Sequence, residues 1–125
     1  MCDRRLVDAI CRAWAADTSS DMAWTPDQPS TGQCAVTALV VQDYCGGLLV
    51  RAVVGGQSHY WNRLPDGHVV DLTRDQFASF KPTNRELRSR DYVLSFPATA
   101  ARYLLLANRV RNNVLMERVV VTTDF

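Results

Sequence analysis

Long apolar runs are missing from this 125-residue chain: stretches such as Ala35 to Val41 fall far short of the roughly 20 residues that span a bilayer. An excess of one charge is missing too. Fourteen basic and thirteen acidic side chains leave +1 with neutral histidines, which argues against nucleic-acid binding through a broad basic surface. The four cysteines form no CxxC pair, and neither of the two histidines has a second ligand at zinc-like spacing, so no metal site is expected. The first residues, Met-Cys-Asp-Arg-Arg, turn polar at once and carry no signal-peptide pattern. There is no internal repeat, low-complexity tract or linker. The expectation is one globular domain over 1–125 in the cytoplasm, without membrane or nucleic-acid partners and without a cofactor.

What is present is an ordinary globular composition, 47% hydrophobic and 22% charged. Leu6, Ile10, Ala13 and Trp14 recur at helical spacing and predict a first helix over Asp3–Ala16. A polar, proline-containing loop follows from Asp17 to Gln33, with Trp24 expected to anchor it to the core. Cys34 to Tyr44 is apolar nearly all round and stops at Gly46-Gly47, which predicts a buried helix capped from Ser30 or Thr31. The period then changes: Leu48–Val54 and Ser58–Leu64 read as strands. Pro65-Asp66-Gly67 fits a three-residue hairpin loop, with His68–Leu72 as the return strand. Thr73–Phe80 reads as a short helical turn and Lys81–Arg90 as a polar loop. Asp91–Phe96 reads as a strand, and Pro97 opens a helix through Val110. Glu117–Thr123, with three consecutive valines, reads as a last strand that can pair within the domain or across a dimer edge. The order implies α+β: an antiparallel sheet packed against a central buried helix with a cysteine at its N-terminus.

Without an export signal the thiols of Cys2, Cys11, Cys34 and Cys45 are expected to stay reduced. Cys34 and Cys45 end the same predicted helix about 16 Å apart, too far to bridge. Cys34 alone combines a helix start with a polar loop in front of it. A helix N-terminus stabilises thiolate, the reactive form. A small buried hydrophobe is the plainer account of the same residue.

A nucleophilic thiol also needs a base, and the base needs orienting. With a Pro65–Gly67 loop, Leu64 faces His68, Asp71 lies opposite Trp61, and His59 is its diagonal neighbour on the same face. A two-residue turn would move Asp71 to the other face. His59 and Asp71 are thus a candidate base-and-orienter pair on a sheet face against which the Cys34 helix is expected to pack. Pattern alone also allows a satisfied strand histidine and an aspartate that caps the Thr73 turn. His68, on the opposite face, is the rival base.

These strings resemble a known pattern. Gly32-Gln33-Cys34 before an apolar helix is similar to the nucleophile segment of transglutaminase-like cysteine enzymes. Ser58-His59-Tyr60-Trp61-Asn62 and Val69-Val70-Asp71-Leu72-Thr73 resemble their histidine and aspartate strands. Across roughly Trp14 to Val110 the chain resembles the bacterial YunG-like family, within the transglutaminase-like and papain-like fold group. The resemblance implies a Cys34–His59–Asp71 triad. It implies an oxyanion donor besides the Cys34 N–H, for which Gln28, Gln33 and the Trp24 indole are candidates. Trp61 reads first as a packing residue, and as an aromatic next to His59 it can also wall one side of a substrate groove. The implied activity is a thiol hydrolase or acyltransferase acting through an acyl-enzyme on a peptide, isopeptide, glutaminyl or small-molecule amide. The alternatives are a binding module that keeps the triad geometry, and an interaction protein using exposed aromatics such as Tyr103 or Phe125.

Overall fold

The computed structural model describes residues 2–123. Helix α1, Arg4–Ala13, begins where the Asp3 carboxylate accepts the Leu6 N–H at 3.2 Å, and it buries Leu6, Ala9, Ile10 and Ala13. Helix α2, Cys34–Cys45, buries every residue from Val36 to Val41 and ends at Gly46 with φ of +70°. The predicted caps do not form. Gln33 takes the N-cap position without a side-chain bond. The Ser30 hydroxyl is buried without a partner, and the Thr31 carbonyl accepts from Ser19 Oγ at 2.7 Å.

Strands β1 (Leu48–Val54), β2 (Gln57–Arg63), β3 (Val69–Val70) and β4 (Thr83–Arg88) form one antiparallel sheet in the order β3-β2-β1-β4. The fold is α+β, as expected. β4 occupies what reads as a polar loop. Nearly all its side chains are exposed, so it has no apolar alternation to betray it, and the charges suit a sheet edge. Its register on β1 shifts between Arg51 and Val53, and Asn84 takes a positive φ of 55°.

The C-terminal half departs further from expectation. Residues 90–94 form a short helix, α3 (Arg90–Leu94), not a strand. Ser89 Oγ accepts the Tyr92 N–H at 3.1 Å, and that cap prevails over the strand propensity of Tyr-Val-Leu. Helix α4 runs unbroken from Pro97 to Thr123 and takes in the predicted last strand. Leu106, Val110 and Val114 bury one stripe of it. No glycine or proline interrupts 98–123, so helical continuity overrides the valine run. Phe125 lies outside the described residues.

Leu6, Ile10, Val36, Val40, Leu106 and Val110 share one cluster, which sets α2 against α1 and α4. Ala38 and Leu39 pack instead with Leu49 and Tyr60 of the sheet, and Asn62 Nδ2 donates to the Ala38 carbonyl at 2.9 Å. Helix α2 is therefore the middle layer. Each fully buried aliphatic side chain stabilises the fold by about 1.5–3 kcal/mol. Arg90 and Tyr103 both hold Asp43, at 2.6 Å each, tying α3 and α4 to α2. Tyr103 is thus half-buried and engaged, not a free aromatic.

Two cysteines also depart from expectation. Cys2 and Cys45, 43 positions apart in sequence, are bridged. Spacing along one helix does not reveal that the N-terminal arm meets the far end of α2. Cys11 and Cys34 are free. No helix among the described residues is long and apolar enough to cross a membrane.

Candidate active site

The hairpin between β2 and β3 has the register that its loop chemistry predicts. The Leu64 N–H donates to the His68 carbonyl at 2.8 Å, and Gly67 takes the left-handed position with φ of +91°. Asn62 pairs with Val70 and Arg63 with Val69. One step further, Asp71 falls opposite Trp61 and diagonal to His59. The diagonal contact is made: His59 Nε2 lies 2.7 Å from Asp71 Oδ2. The other carboxylate oxygen of Asp71 accepts from the Thr73 N–H at 3.3 Å, so the carboxylate is fixed from both sides. Asp71 thus both orients the histidine and caps the following turn.

His59 has no exposed surface. Its ring sits among Trp61 at 5.7 Å and the edges of Phe77 and Phe80 at 4.9 and 5.6 Å. Burial alone would lower the imidazole pKa. The Asp71 hydrogen bond and then the Cys34 thiol outweigh burial, and the pKa is pushed up to about 9. Nδ1 is buried and closes no hydrogen bond. It is the free end of the ring, opposite the carboxylate, and the thiol acts on the ring as a neighbour.

The face of the sheet that carries His59 is a correction to the sequence reading. The body of α2 packs on Leu49, Tyr60 and Asn62. His59 points the other way, with Ala52, Val50 and Trp61, because alternate residues of a strand face opposite sides. The thiol still approaches. β3 pairs only with Asn62 and Arg63, which leaves the edge of β2 open at Ser58 to Tyr60. The tip of α2 stands there, with Cys34 Sγ 4.0 Å from the Ser58 carbonyl oxygen. Gly32 makes the approach possible: at φ +71°, a Cβ there would collide with Ser19 Oγ and the Asp21 backbone.

Cys34 is partly exposed and opens onto a cavity of about 380 Å³, whose walls include Gly32, Gln57, Ser58 and Gln76. Gln76 closes a short 3-10 turn, Arg74–Gln76, just after Asp71. Its Oε1 accepts the Gly32 N–H at 3.2 Å. Because a backbone N–H can only donate, that bond fixes the amide orientation. Nε2 is left buried and unpartnered beside the thiol cavity.

The model of the family described as YunG protein matches residues 3–115. This chain belongs to the YunG family. It is similar to the uncharacterized protein YunG of Bacillus subtilis (strain 168), 42% identical over 66 residues. That match covers 53% of this chain and 55% of the relative, so the chain spans about half the length of the curated relative it matches. No solved structure matches the chain.

In this YunG-family chain the other site candidates lie elsewhere. Gln28 is exposed and donates from Nε2 to the Asp75 carbonyl at 3.3 Å. Gln33 is fully buried, with Nε2 on the Ala15 carbonyl at 3.0 Å and Oε1 unpartnered. The Trp24 indole donates to Pro29, closing its own loop instead of reaching the core. None of the three lines the cavities at Cys34. Trp61 is buried against His59. His68 is exposed on its own aspartate, Asp66, at 2.8 Å. Sequence reasoning missed Gln76, Phe77 and Phe80. The string Asp-Gln-Phe after Asp71 holds two of the three, but only the fold-back of the 3-10 turn shows them facing Cys34 and His59.

Proposed function

We propose that this chain is a cysteine-dependent amide hydrolase or acyltransferase built on a minimal transglutaminase-like core, with Cys34 as nucleophile, His59 as proton carrier and Asp71 as its orienter. One observation carries the reading: a fully buried imidazole has one nitrogen on a fixed carboxylate and the other free, next to a partly exposed thiol at a helix tip. Such a pairing is the requirement for an activated thiol.

In this mechanism His59 already carries the proton, as its raised pKa requires, so Cys34 attacks the carbonyl carbon of an amide as the thiolate of an ion pair with the imidazolium. The C=O electron pair moves onto oxygen. The Cys34 backbone N–H and Gln76 Nε2 donate to that oxyanion, which puts Gln76 in the role first assigned to Gln28, Gln33 or Trp24. As the carbonyl reforms, the C–N bond breaks and the His59 proton passes to the leaving amine. The acyl group is now a thioester on Cys34. Water, for hydrolysis, or an amine, for transfer, loses a proton to His59 and attacks. Collapse expels the sulfur as thiolate and leaves that proton on His59, which restores the starting pair. The substrate would be a peptide, protein or small-molecule amide. A cytoplasmic location belongs to the same proposal, and the Cys2–Cys45 bridge pulls against it, since disulfides persist in oxidising surroundings.

Site-mapped alkylation with iodoacetamide from pH 5 to 9 tests the reading. Cys34 is expected to outpace the exposed Cys11 at pH 6 and to fall to an ordinary thiol rate in His59→Gln. Cys34→Ala should keep the fold and lose the fast adduct. Equal rates for Cys34 and Cys11 at pH 6 would leave the binding-module alternative standing.

A further inference from the structure

Next to the Gln76 cavity, and sharing Ser20, Gly32, Cys34 and Ser58 with it, a second and smaller cavity of about 160 Å³ opens between α2, β2 and α4. Ser20, Ser58, Tyr60, Thr99 and Arg102 line it together with Cys34. Among the described residues, Arg102 is the one cation that lines it. Arg5, Arg51, Arg88, Arg90 and Arg109 each hold a carboxylate within 3.5 Å. Arg102 has no carboxylate or hydrogen-bond partner among the described residues, and its Nε is buried and unsatisfied. No aspartate or glutamate lines this cavity. A guanidinium does not give up its proton, so the buried N–H must wait for an acceptor. The cavity walls add hydroxyl donors and the uncapped first turn of α2, whose dipole favours negative charge.

Resting on the amidase reading, we propose that this cavity is a carboxylate subsite, so that the preferred substrate is an amide bearing a free carboxylate close to the bond that is cut. The guanidinium fork matches a carboxylate with two parallel bonds. One cation matches a single negative charge, and the volume suits a carboxylate with its flanking carbons. Because Cys34 lines this cavity and the Gln76 cavity alike, a carboxylate held by Arg102 would sit close to the amide carbonyl that the sulfur attacks.

Iodoacetate and iodoacetamide are nearly isosteric, differ in charge, and report the subsite without a known substrate. The rate ratio of iodoacetate to iodoacetamide at Cys34 is expected to drop about fivefold in Arg102→Gln, the size of a partly exposed ion pair. Arg102→Lys should retain part of the ratio, and the ratio at Cys11 should not move. An unchanged ratio at Cys34 in Arg102→Gln overturns the proposal. The wild-type chain gives a second reading that needs no variant: N-acetylglycine should protect Cys34 from iodoacetamide at concentrations where neutral N-acetylglycinamide does not. Equal protection by the two also overturns it. The absolute iodoacetamide rate and its dependence on His59 test the nucleophile separately, so failure of the subsite and failure of the amidase reading are distinguishable.

Discussion

One hairpin carries two histidine–aspartate pairs of nearly the same length. His59 and Asp71 meet at 2.7 Å, with the two side chains 0% and 9% exposed. His68 and Asp66 meet at 2.8 Å, 80% and 62% exposed. The distances do not separate them; the surroundings do. His59 is boxed by three aromatic rings, shares its field with a thiol and holds its proton to about pH 9. His68 and Asp66 share a turn in water, where the Asp66 carboxylate accepts the His68 backbone N–H as well as its ring and is held below its usual range. A close ion pair in solvent contributes little, whereas a desolvated one sets the protonation of a site.

The sharpest way to break this comparison is to remove each carboxylate's charge in turn. Asp71→Asn should slow acylation of Cys34 by 4-nitrophenyl acetate about a thousandfold, the middle of the range for a disabled proton carrier. Asp66→Asn should leave the rate unchanged. Equal losses from the two would make the buried pair ordinary.

Stability against pH gives the next largest contrast. The folded-state pKa of His59, about 9, lies above the ordinary imidazole value of 6.5, so the folded chain binds that proton more tightly than the unfolded chain. The resulting stabilisation is present in full below about pH 6.5, and it is lost as pH rises through about 9, with a swing of about 3 kcal/mol. Urea melts between pH 6 and 10 should show the loss, His59→Gln should abolish it, and His68→Gln should keep it.

A third contrast separates the thiol's reactivity from oxyanion stabilisation. Gln76→Ala should slow acylation by the ester about a hundredfold, because that step makes an oxyanion. The same variant should leave alkylation by iodoacetamide, which makes none, close to wild type. Parallel losses in both reactions would reduce Gln76 to a structural role at Gly32.

The hairpin was legible because its information is local. Pro65, Asp66 and Gly67 select a loop length, loop length sets register, and register brings Asp71 to His59. Cys34 was legible as the first residue of an apolar helix for the same reason. Which face α2 covers was not, since both faces of β2 carry buried side chains, His59 and Trp61 on one and Asn62 on the other. The segment from Lys81 to Phe96 was misread in both halves. β4 is a strand without alternation, and α3 is a helix made of strand formers behind one serine cap. Gln28 is a candidate oxyanion donor through the resemblance, yet in this short loop its amide is spent on the Asp75 carbonyl. Gln76 stands in the Asp-Gln-Phe string after Asp71, but nothing in that string says that it faces Cys34. Its position depends on a turn that folds Asp71 to Phe80 over the sheet, a tertiary event that spacing does not encode.

Titration of the His59 ring by ¹⁵N NMR, in the wild type and in Cys34→Ala, tests the coupling of thiol, imidazole and carboxylate most directly. The account predicts a His59 midpoint near 9 in the wild type, with Asp71 and Cys34 both raising it. It also predicts a clear fall when the sulfur is removed. A His59 midpoint at or below 6.5, indifferent to Cys34→Ala, would contradict the account.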